Sequence, residues 1–222
     1  MQSVSPKRSS RDKLESFLLK VKAASYSLFH LKDLFRVIKL RRKHEGIQLK
    51  PAEIIKVLHA IESFESCNML VFGLGNDSPF WCEANRQGRT VFLEDFQPWF
   101  DKITLKYPEI EAYAVNYPCN ITQWKEMLER PGQLAADLPP EVSGSKWDVI
   151  LVDGPRGHKY SEEIPGRMSS IYEASRLVGK KGYVFVHDAQ RTIENAYSRH
   201  FLGQEHFLEK IRGRALLHIY RF

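Results

Sequence analysis

Four clusters of residues in this chain could do chemistry, and each directly follows a short apolar run. They are Gly73-Leu74-Gly75-Asn76, Glu94-Asp95, Asp153-Gly154-Pro155-Arg156 and His187-Asp188. Glycines let a backbone turn tightly and approach a ligand closely. Carboxylates and a histidine can accept a hydroxyl proton or hold a cation. Together the clusters indicate a ligand site in which a proton is moved.

The first two clusters favour a ligand that contains adenosine. The glycine loop lacks the third glycine of a dinucleotide fingerprint and the Gly-Lys-Ser/Thr of a P-loop, so it offers no device for a pyrophosphate. S-adenosylmethionine (SAM) fits better. About 20 residues further on, Glu94 could accept hydrogen bonds from ribose hydroxyls. We therefore predict that Gly73, Gly75, Asn76, Glu94 and Asp95 bind this cofactor. The alternatives are a structural turn and a carboxylate that only supports a helix N-terminus.

The last two clusters supply the candidate catalytic residues Asp153, His187 and Asp188. Asp153 could act as a general base, hydrogen-bond a substrate hydroxyl, bind a divalent cation or merely cap a helix. His187 could accept a hydroxyl proton, with Asp188 orienting it or capping the next helix. A divalent metal held by all three is an open alternative.

Arginines near these clusters could bind an anionic group of a substrate. Arg156 follows Asp153 in a loop that would present it at the mouth of the site. Pro165 is expected to start a helix, which places Arg167 in the first turn, where a cation opposes the helix dipole. Arg167 therefore needs an anionic partner: a substrate carboxylate, or Glu162 or Glu163.

Strands and helices alternate along most of the chain, which predicts βαβ crossovers and a mostly parallel sheet. A turn is expected at 179–182, and the aromatic residues of the helix at 96–107 are expected in the core, whereas Trp81 could be core or pocket wall. Ligands of open α/β sheets bind at the carboxyl ends of strands, where the four clusters fall. The predicted strands are 69–72, 90–93, 112–115, 147–152, 183–186 and a final hairpin of 207–211 and 216–220.

Charge separates the first 50 residues from the rest. The chain has 222 residues and a net charge of +6, yet residues 1–50 hold thirteen Lys/Arg against four Asp/Glu. We interpret 1–50 as a basic, partly disordered and amphipathic helical extension that packs on the main domain or contacts a membrane surface or partner protein. Residues 51–222 are mildly acidic and form the main domain, so no nucleic-acid partner is expected.

Composition excludes several other classes of protein. The hydrophobic fraction of 43% and the charged fraction of 27% are typical of a globular protein rather than a disordered one. Neither a signal peptide nor a membrane anchor is visible, which makes a cytoplasmic location the default expectation. The three cysteines show no zinc-ligand or disulfide spacing.

In this order, the motifs resemble the plant polysaccharide-biosynthesis family of glucuronoxylan 4-O-methyltransferases and irregular-xylem-15-like proteins. The resemblance covers roughly residues 50–222, and Asp-Gly-Pro-Arg-Gly is most similar to the irregular-xylem-15 branch. Plant members carry an N-terminal membrane anchor in the Golgi, whereas this chain shows a basic segment. The motifs are Phe-Gly-Leu-Gly-Asn-Asp-Ser (72–78), Thr-Val-Phe-Leu-Glu (90–94), Trp-Asp-Val-Ile (147–150), Asp-Gly-Pro-Arg-Gly (153–157), Pro-Gly-Arg-Met (165–168) and Val-Phe-Val-His-Asp (184–188).

The resemblance implies a class I SAM-dependent methyltransferase fold, α/β and Rossmann-like, with a seven-stranded sheet and an N-terminal helical extension. It implies methyl transfer to the 4-hydroxyl of glucuronic acid in a polysaccharide. Asp153, His187 and Asp188 would face the acceptor. Two alternatives remain: a small-molecule O- or N-methyltransferase, and a non-catalytic scaffold of the irregular-xylem-15 type. The expected substrate-binding residues are Arg156, His158, Arg167 and Arg191.

Overall fold

The computed structural model describes residues 31–44, 46–157, 159–212 and 215–222. Residues 31–43 are helical (α1). The remaining helices are α2 (Pro51–Glu62), α3 (Ser78–Ala84), α4 (Gln97–Lys106), α5 (Trp124–Glu129), α6 (Pro140–Ser143), α7 (Met168–Leu177) and α8 (Thr192–Tyr197), the last continued by a π-helical turn, Ser198–Leu202. The strands are β1 (Asn68–Phe72), β2 (Arg89–Glu94), β3 (Ala112–Ala114), β4 (Trp147–Val152), β5 (Val178–Val186), β6 (Phe207–Arg212) and β7 (Leu216–Arg221).

The seven strands form one mixed sheet in the order β3-β2-β1-β4-β5-β7-β6. β1 to β5 pair in parallel, while β7 is antiparallel to both β5 and β6. The predicted sheet with its terminal hairpin is confirmed. Because β1 lies between β2 and β4, the carboxyl ends of these three strands meet at one edge of the sheet.

Apolar side chains cover both faces of the sheet. In β1, Met69 and Val71 pack on one face, whereas Leu70 and Phe72 pack on the other. The first face is covered by α2, α3 and α4, and the second by α7 and α8. This alternation within fully apolar strands is typical of a parallel sheet between two helical layers. The edge at which these strand ends meet is therefore held by a core on both sides.

The described part of the N-terminal extension joins this core. Val37 and Leu40 of α1 are buried and belong to the same apolar cluster as Met69 in β1. Residues 1–30, with the disorder predicted for their first part, lie outside the described residues. Within the described ranges, no helix is long and apolar enough to cross a membrane.

Two predicted boundaries are wrong. The turn expected at 179–182 is instead part of β5, which runs from Val178 to Val186 with an irregular register against β4 and a positive φ of 65° at Lys181. The helix expected to begin at Pro165 begins at Met168, because Gly166 has a φ of +65° that a helix does not accept. Arg167 therefore lies just before the helix rather than in its first turn.

Candidate active site

The loop after β1 is pressed against the end of β4. Gly73 has a φ of +113°, and a Cβ placed on it would meet the Gly154 nitrogen at 3.2 Å. The Gly154 N–H donates to the Phe72 carbonyl at 2.6 Å. Glycine at both positions lets the two strand ends approach at backbone distance. The close approach fixes the base of a cleft between β1 and β4.

Glu94 ends β2 and holds the glycine loop from the other side. Its two carboxylate oxygens accept the N–H groups of Leu74 at 2.9 Å and Phe96 at 3.0 Å. The residue is only 8% exposed. Burial raises the pKa of Glu94, although the two backbone hydrogen bonds oppose this shift. The structure thus fixes this carboxylate beside the loop.

The glycine loop, Glu94 and Asp153 line one cleft of about 520 Å³. All five residues predicted to bind the cofactor line it, together with Arg156. Among the described site residues, four do not line this cleft. They are Arg167, His187, Asp188 and Arg191. The cleft therefore joins the predicted cofactor residues to one predicted catalytic residue, Asp153.

Aromatic side chains form the remaining wall of the cleft. Trp81 is buried and lines it, so it is both core and pocket wall. The Trp99 indole Nε1–H donates to the Leu74 carbonyl at 2.5 Å. Phe96, expected in the core, is instead 41% exposed because it precedes α4, and the Arg156 guanidinium lies 4.4 Å from its ring centroid. This cation–π contact holds Arg156 at the mouth of the cleft.

Asp153 and His187 form a hydrogen-bonded pair. His187 Nδ1 lies 2.8 Å from Asp153 Oδ1. Burial lowers the pKa of His187, but the hydrogen bond and the charge of Asp153 outweigh it, so the net pKa is raised. Burial raises the pKa of Asp153, but His187 and the Arg167 charge outweigh it, so the net pKa is lowered. The contact therefore stabilises a carboxylate beside a histidine that binds a proton more tightly than usual.

Arg167 joins the ends of β4 and β5 rather than facing a substrate. Its side chain donates to the carbonyls of Pro155, Asp153 and His187 and to Asp153 Oδ1. Nη1 also lies 3.0 Å from Asp188 Oδ2. The residue is 5% exposed. Its anionic partners are thus Asp153 and Asp188, which corrects the expected pairing with a substrate, Glu162 or Glu163.

A second ion-paired group surrounds Asp188. Its Oδ2 lies 2.8 Å from Arg191 Nη2 and 4.0 Å from His187 Nδ1. The other terminal nitrogen of Arg191 lies 3.5 Å from buried Glu194 Oε1. Because Asp153 lies closer to His187 Nδ1, at 2.8 Å, it is Asp153 that orients His187, a role expected of Asp188. Arg191 is engaged by two carboxylates, while His158 lies outside the described residues.

Asp153, His187 and Asp188 place ligand atoms within 4.8 Å of one another. This spacing is compatible with a divalent cation. The same carboxylates, however, already pair with Arg167 and Arg191. In this arrangement guanidinium groups balance their charge, so the residues do not fit a metal centre.

Asp77 and Trp99 are among the residues at the cleft that were not predicted from the sequence. Asp77 lines it and follows the glycine loop directly, a position that could have drawn attention to it. Trp99 contacts the loop from 25 residues away, and no local pattern signals that contact. A larger groove of about 630 Å³ lies beside α1, but none of the predicted site residues lines it. The chemistry therefore concentrates in the smaller cleft.

The family model described as IRX15/IRX15L/GXM matches residues 52–133 and 131–218. These two segments cover most of the chain and every residue that lines the cleft except Gly46 and Gln48.

The chain belongs to this family.

Named relatives from Arabidopsis thaliana support this membership of the IRX15/IRX15L/GXM family. Glucuronoxylan 4-O-methyltransferase 1 is 40% identical over 169 residues, which are 67% of this chain and 59% of the relative. Arabinogalactan O-methyltransferase 2 is 30% identical over 204 residues, 81% of this chain and 69% of the relative. Protein IRX15-LIKE is 37% identical over 171 residues, 64% of this chain and 52% of the relative. The chain thus spans between half and about two thirds of these relatives.

A solved structure shares the fold of this family member. A Staphylococcus aureus protein provisionally named a caffeoyl-CoA O-methyltransferase superposes with a TM-score of 0.53. The match covers 95% of this chain and 99% of that one, at 11% sequence identity. The predicted class I methyltransferase fold is confirmed.

Proposed function

We propose that the chain is a SAM-dependent O-methyltransferase that acts on a sugar hydroxyl, the 4-hydroxyl of glucuronic acid in a polysaccharide. The observation that carries this proposal is the single cleft that joins the glycine loop and Glu94 to Asp153. Relatives at 40% and 30% identity are named for methyl transfer to glucuronoxylan and arabinogalactan.

The cleft suits both parts of a methyl transfer. Backbone groups of the Gly73–Gly75 loop and the Glu94 carboxylate would hold the amino-acid and ribose parts of SAM. When bound, SAM supplies an electrophilic methyl group on a positively charged sulfur. The protein then needs to align the acceptor and take up one proton. With Oδ1 of Asp153 engaged by His187 and Arg167, Oδ2 is left to accept the hydrogen of the acceptor hydroxyl, and the Asp153–His187 pair takes the proton.

Arg156 is the candidate partner for the carboxylate of a uronic acid. It is exposed at the mouth of the cleft and held over Phe96. Arg167 and Arg191, in contrast, are engaged by protein carboxylates. A guanidinium can bind a carboxylate through two parallel hydrogen bonds. This favours an anionic sugar over a neutral one as the acceptor.

Transfer of a radiolabelled methyl group tests this function. Purified protein and labelled SAM would be offered xylo-oligosaccharides with or without a glucuronic acid branch, a glucuronic-acid-bearing arabinogalactan fragment, and small phenols. We expect label only on acceptors with glucuronic acid. Label on phenols alone would support a small-molecule methyltransferase. A protein that binds neither SAM nor S-adenosylhomocysteine (SAH) would instead support a scaffold of the irregular-xylem-15 type.

The basic extension remains a predicted contact surface for a membrane or a partner protein. Several apolar side chains of its described part are exposed on α1, namely Leu31, Leu34, Phe35 and Ile38. Vesicle co-sedimentation of the full chain with anionic and neutral lipids tests the membrane contact. Binding to anionic vesicles that falls as salt rises would support it.

A further inference from the structure

The carboxylate of Asp77 occupies an unusual position for its place in the chain. Asp77 immediately precedes α3, yet its side chain makes no capping hydrogen bond to the helix. Aspartate at such a position ordinarily accepts a helix N–H. Here the carboxylate turns back over the glycine loop, so that a Cβ on Gly75 would meet Asp77 Oδ1 at 2.6 Å. Glycine at 75 leaves room for this carboxylate in the cleft wall.

Asp77 shares the cleft with a second carboxylate, that of Asp153. Burial and the charge of Asp153 raise the pKa of Asp77 to about 6. Asp77 is therefore mostly ionised at pH 7. Of the two carboxylates, that of Asp153 has cationic partners, namely Arg167 and His187.

Asp77 has no such partner among the described residues. No Lys, Arg or His of those ranges forms an ion pair with it, and its hydrogen-bonding neighbour is Trp81. A partly buried carboxylate that lies near a second carboxylate and has no cationic partner is costly. A ligand that brings a positive charge would remove this cost, which makes the Asp77 side of the cleft a site for a cationic group.

We propose that Asp77 binds the α-ammonium group of the methyl donor. The inference rests on the proposed function, since it takes SAM as the ligand of the cleft. SAM carries two positive groups, a sulfonium and an ammonium, and only the ammonium has N–H donors. A carboxylate whose lone pairs are free forms its strongest hydrogen bonds with a charged donor. Asp77 thereby fixes the amino-acid end of the ligand beside the glycine loop.

Calorimetry with two nucleosides tests this assignment. SAH carries the ammonium group but no sulfonium, whereas 5′-methylthioadenosine carries neither. Asp77→Asn keeps the shape of the side chain and removes its charge. We expect this variant to bind SAH about 10- to 100-fold more weakly. Its affinity for 5′-methylthioadenosine should stay within about twofold.

Asp101→Asn is the matched control, since Asp101 is exposed on α4 and contacts Gln97 outside the cleft. It should bind both nucleosides as the unmodified protein does. Equal losses for both nucleosides in Asp77→Asn, or no loss for SAH, would overturn the proposal. So would binding of Mn²⁺ alone that disappears in Asp77→Asn, because the site would then serve an inorganic cation. If the unmodified protein binds neither nucleoside, the proposed function itself fails.

Discussion

Nδ1 of His187 lies 2.8 Å from Oδ1 of Asp153, although the two residues are 34 positions apart. The register of the sheet produces this contact. Val152 of β4 is paired in parallel with Val186 of β5. Asp153 directly follows β4 and His187 directly follows β5, so their side chains lie next to each other at the carboxyl ends of the two strands. Their pKa values move in opposite directions as a result.

Asp153→Asn should change both the rate and its pH dependence. If the pair accepts the hydroxyl proton, activity rises as pH rises through the pKa of His187, which Asp153 holds above 6.5. The amide removes the hydrogen-bonded charge of Asp153 and leaves the more distant charge of Asp188, while burial still lowers that pKa. We expect kcat to fall about 100-fold or more. The acidic limb of the pH–rate profile should move to lower pH.

The matched control is Asp148→Asn, at the opposite end of β4, where the carboxylate accepts the Asn68 N–H. Its pH–rate profile should match that of the unmodified protein. SAH affinity measured by calorimetry should be nearly unchanged in Asp153→Asn. An acidic limb that stays in place in Asp153→Asn would contradict a catalytic role for the pair.

Arg167→Met should destabilise the fold strongly. The guanidinium neutralises Asp153 and Asp188 and satisfies three backbone carbonyls at the ends of β4 and β5. Its removal takes one cationic partner from each of these two partly buried carboxylates and the donors from three carbonyls, which should cost about 3–5 kcal/mol of the free energy of unfolding. Urea denaturation measures the loss. Arg130→Met, which removes an exposed pair with Glu126, should cost less than about 1 kcal/mol. Similar losses in the two variants would show that Arg167 does not join the strands.

Glu94→Gln should weaken SAH binding about 10- to 100-fold. The carboxylate would accept hydrogen bonds from both the loop N–H groups and the ribose hydroxyls, and a neutral amide accepts fewer. Since burial raises the pKa of Glu94, the affinity of the unmodified protein should fall as pH falls through that raised value. Calorimetry at several pH values measures both effects. In Glu94→Gln this pH dependence should be smaller, and the exposed control Glu109→Gln should keep it. An unchanged affinity in Glu94→Gln would remove Glu94 from the ribose role.

The cleft could be predicted from the sequence because its residues directly follow buried parallel strands. Gly73, Glu94, Asp153 and His187 each follow or end an apolar run, and parallel strands bring such positions to one edge. Strand ends are local features of a sequence. The edge of the sheet on which they meet follows from the parallel topology alone.

The contacts of Arg167 and Asp77 could not be predicted in the same way. Arg167 reaches five acceptors through a loop whose path depends on the positive φ at Gly166 and on the end of β5. Asp77 reaches the cleft because it does not cap α3, and propensity alone favours capping. Both contacts depend on tertiary packing, which overrides the local preference.

Gly154→Ala tests the close approach of β1 and β4. A Cβ on Gly154 would lie 2.8 Å from the Gly73 Cα and 3.2 Å from the Phe72 carbonyl oxygen, both backbone atoms that a rotamer change cannot move. The strand ends must separate, which should cost about 1–3 kcal/mol of the free energy of unfolding and weaken SAH binding. Gly132→Ala is the control, because no atom lies within 4 Å of its added Cβ. Urea denaturation and calorimetry on both variants measure the difference. Equal stability in the two variants would mean that β1 and β4 do not need this contact to shape the cleft.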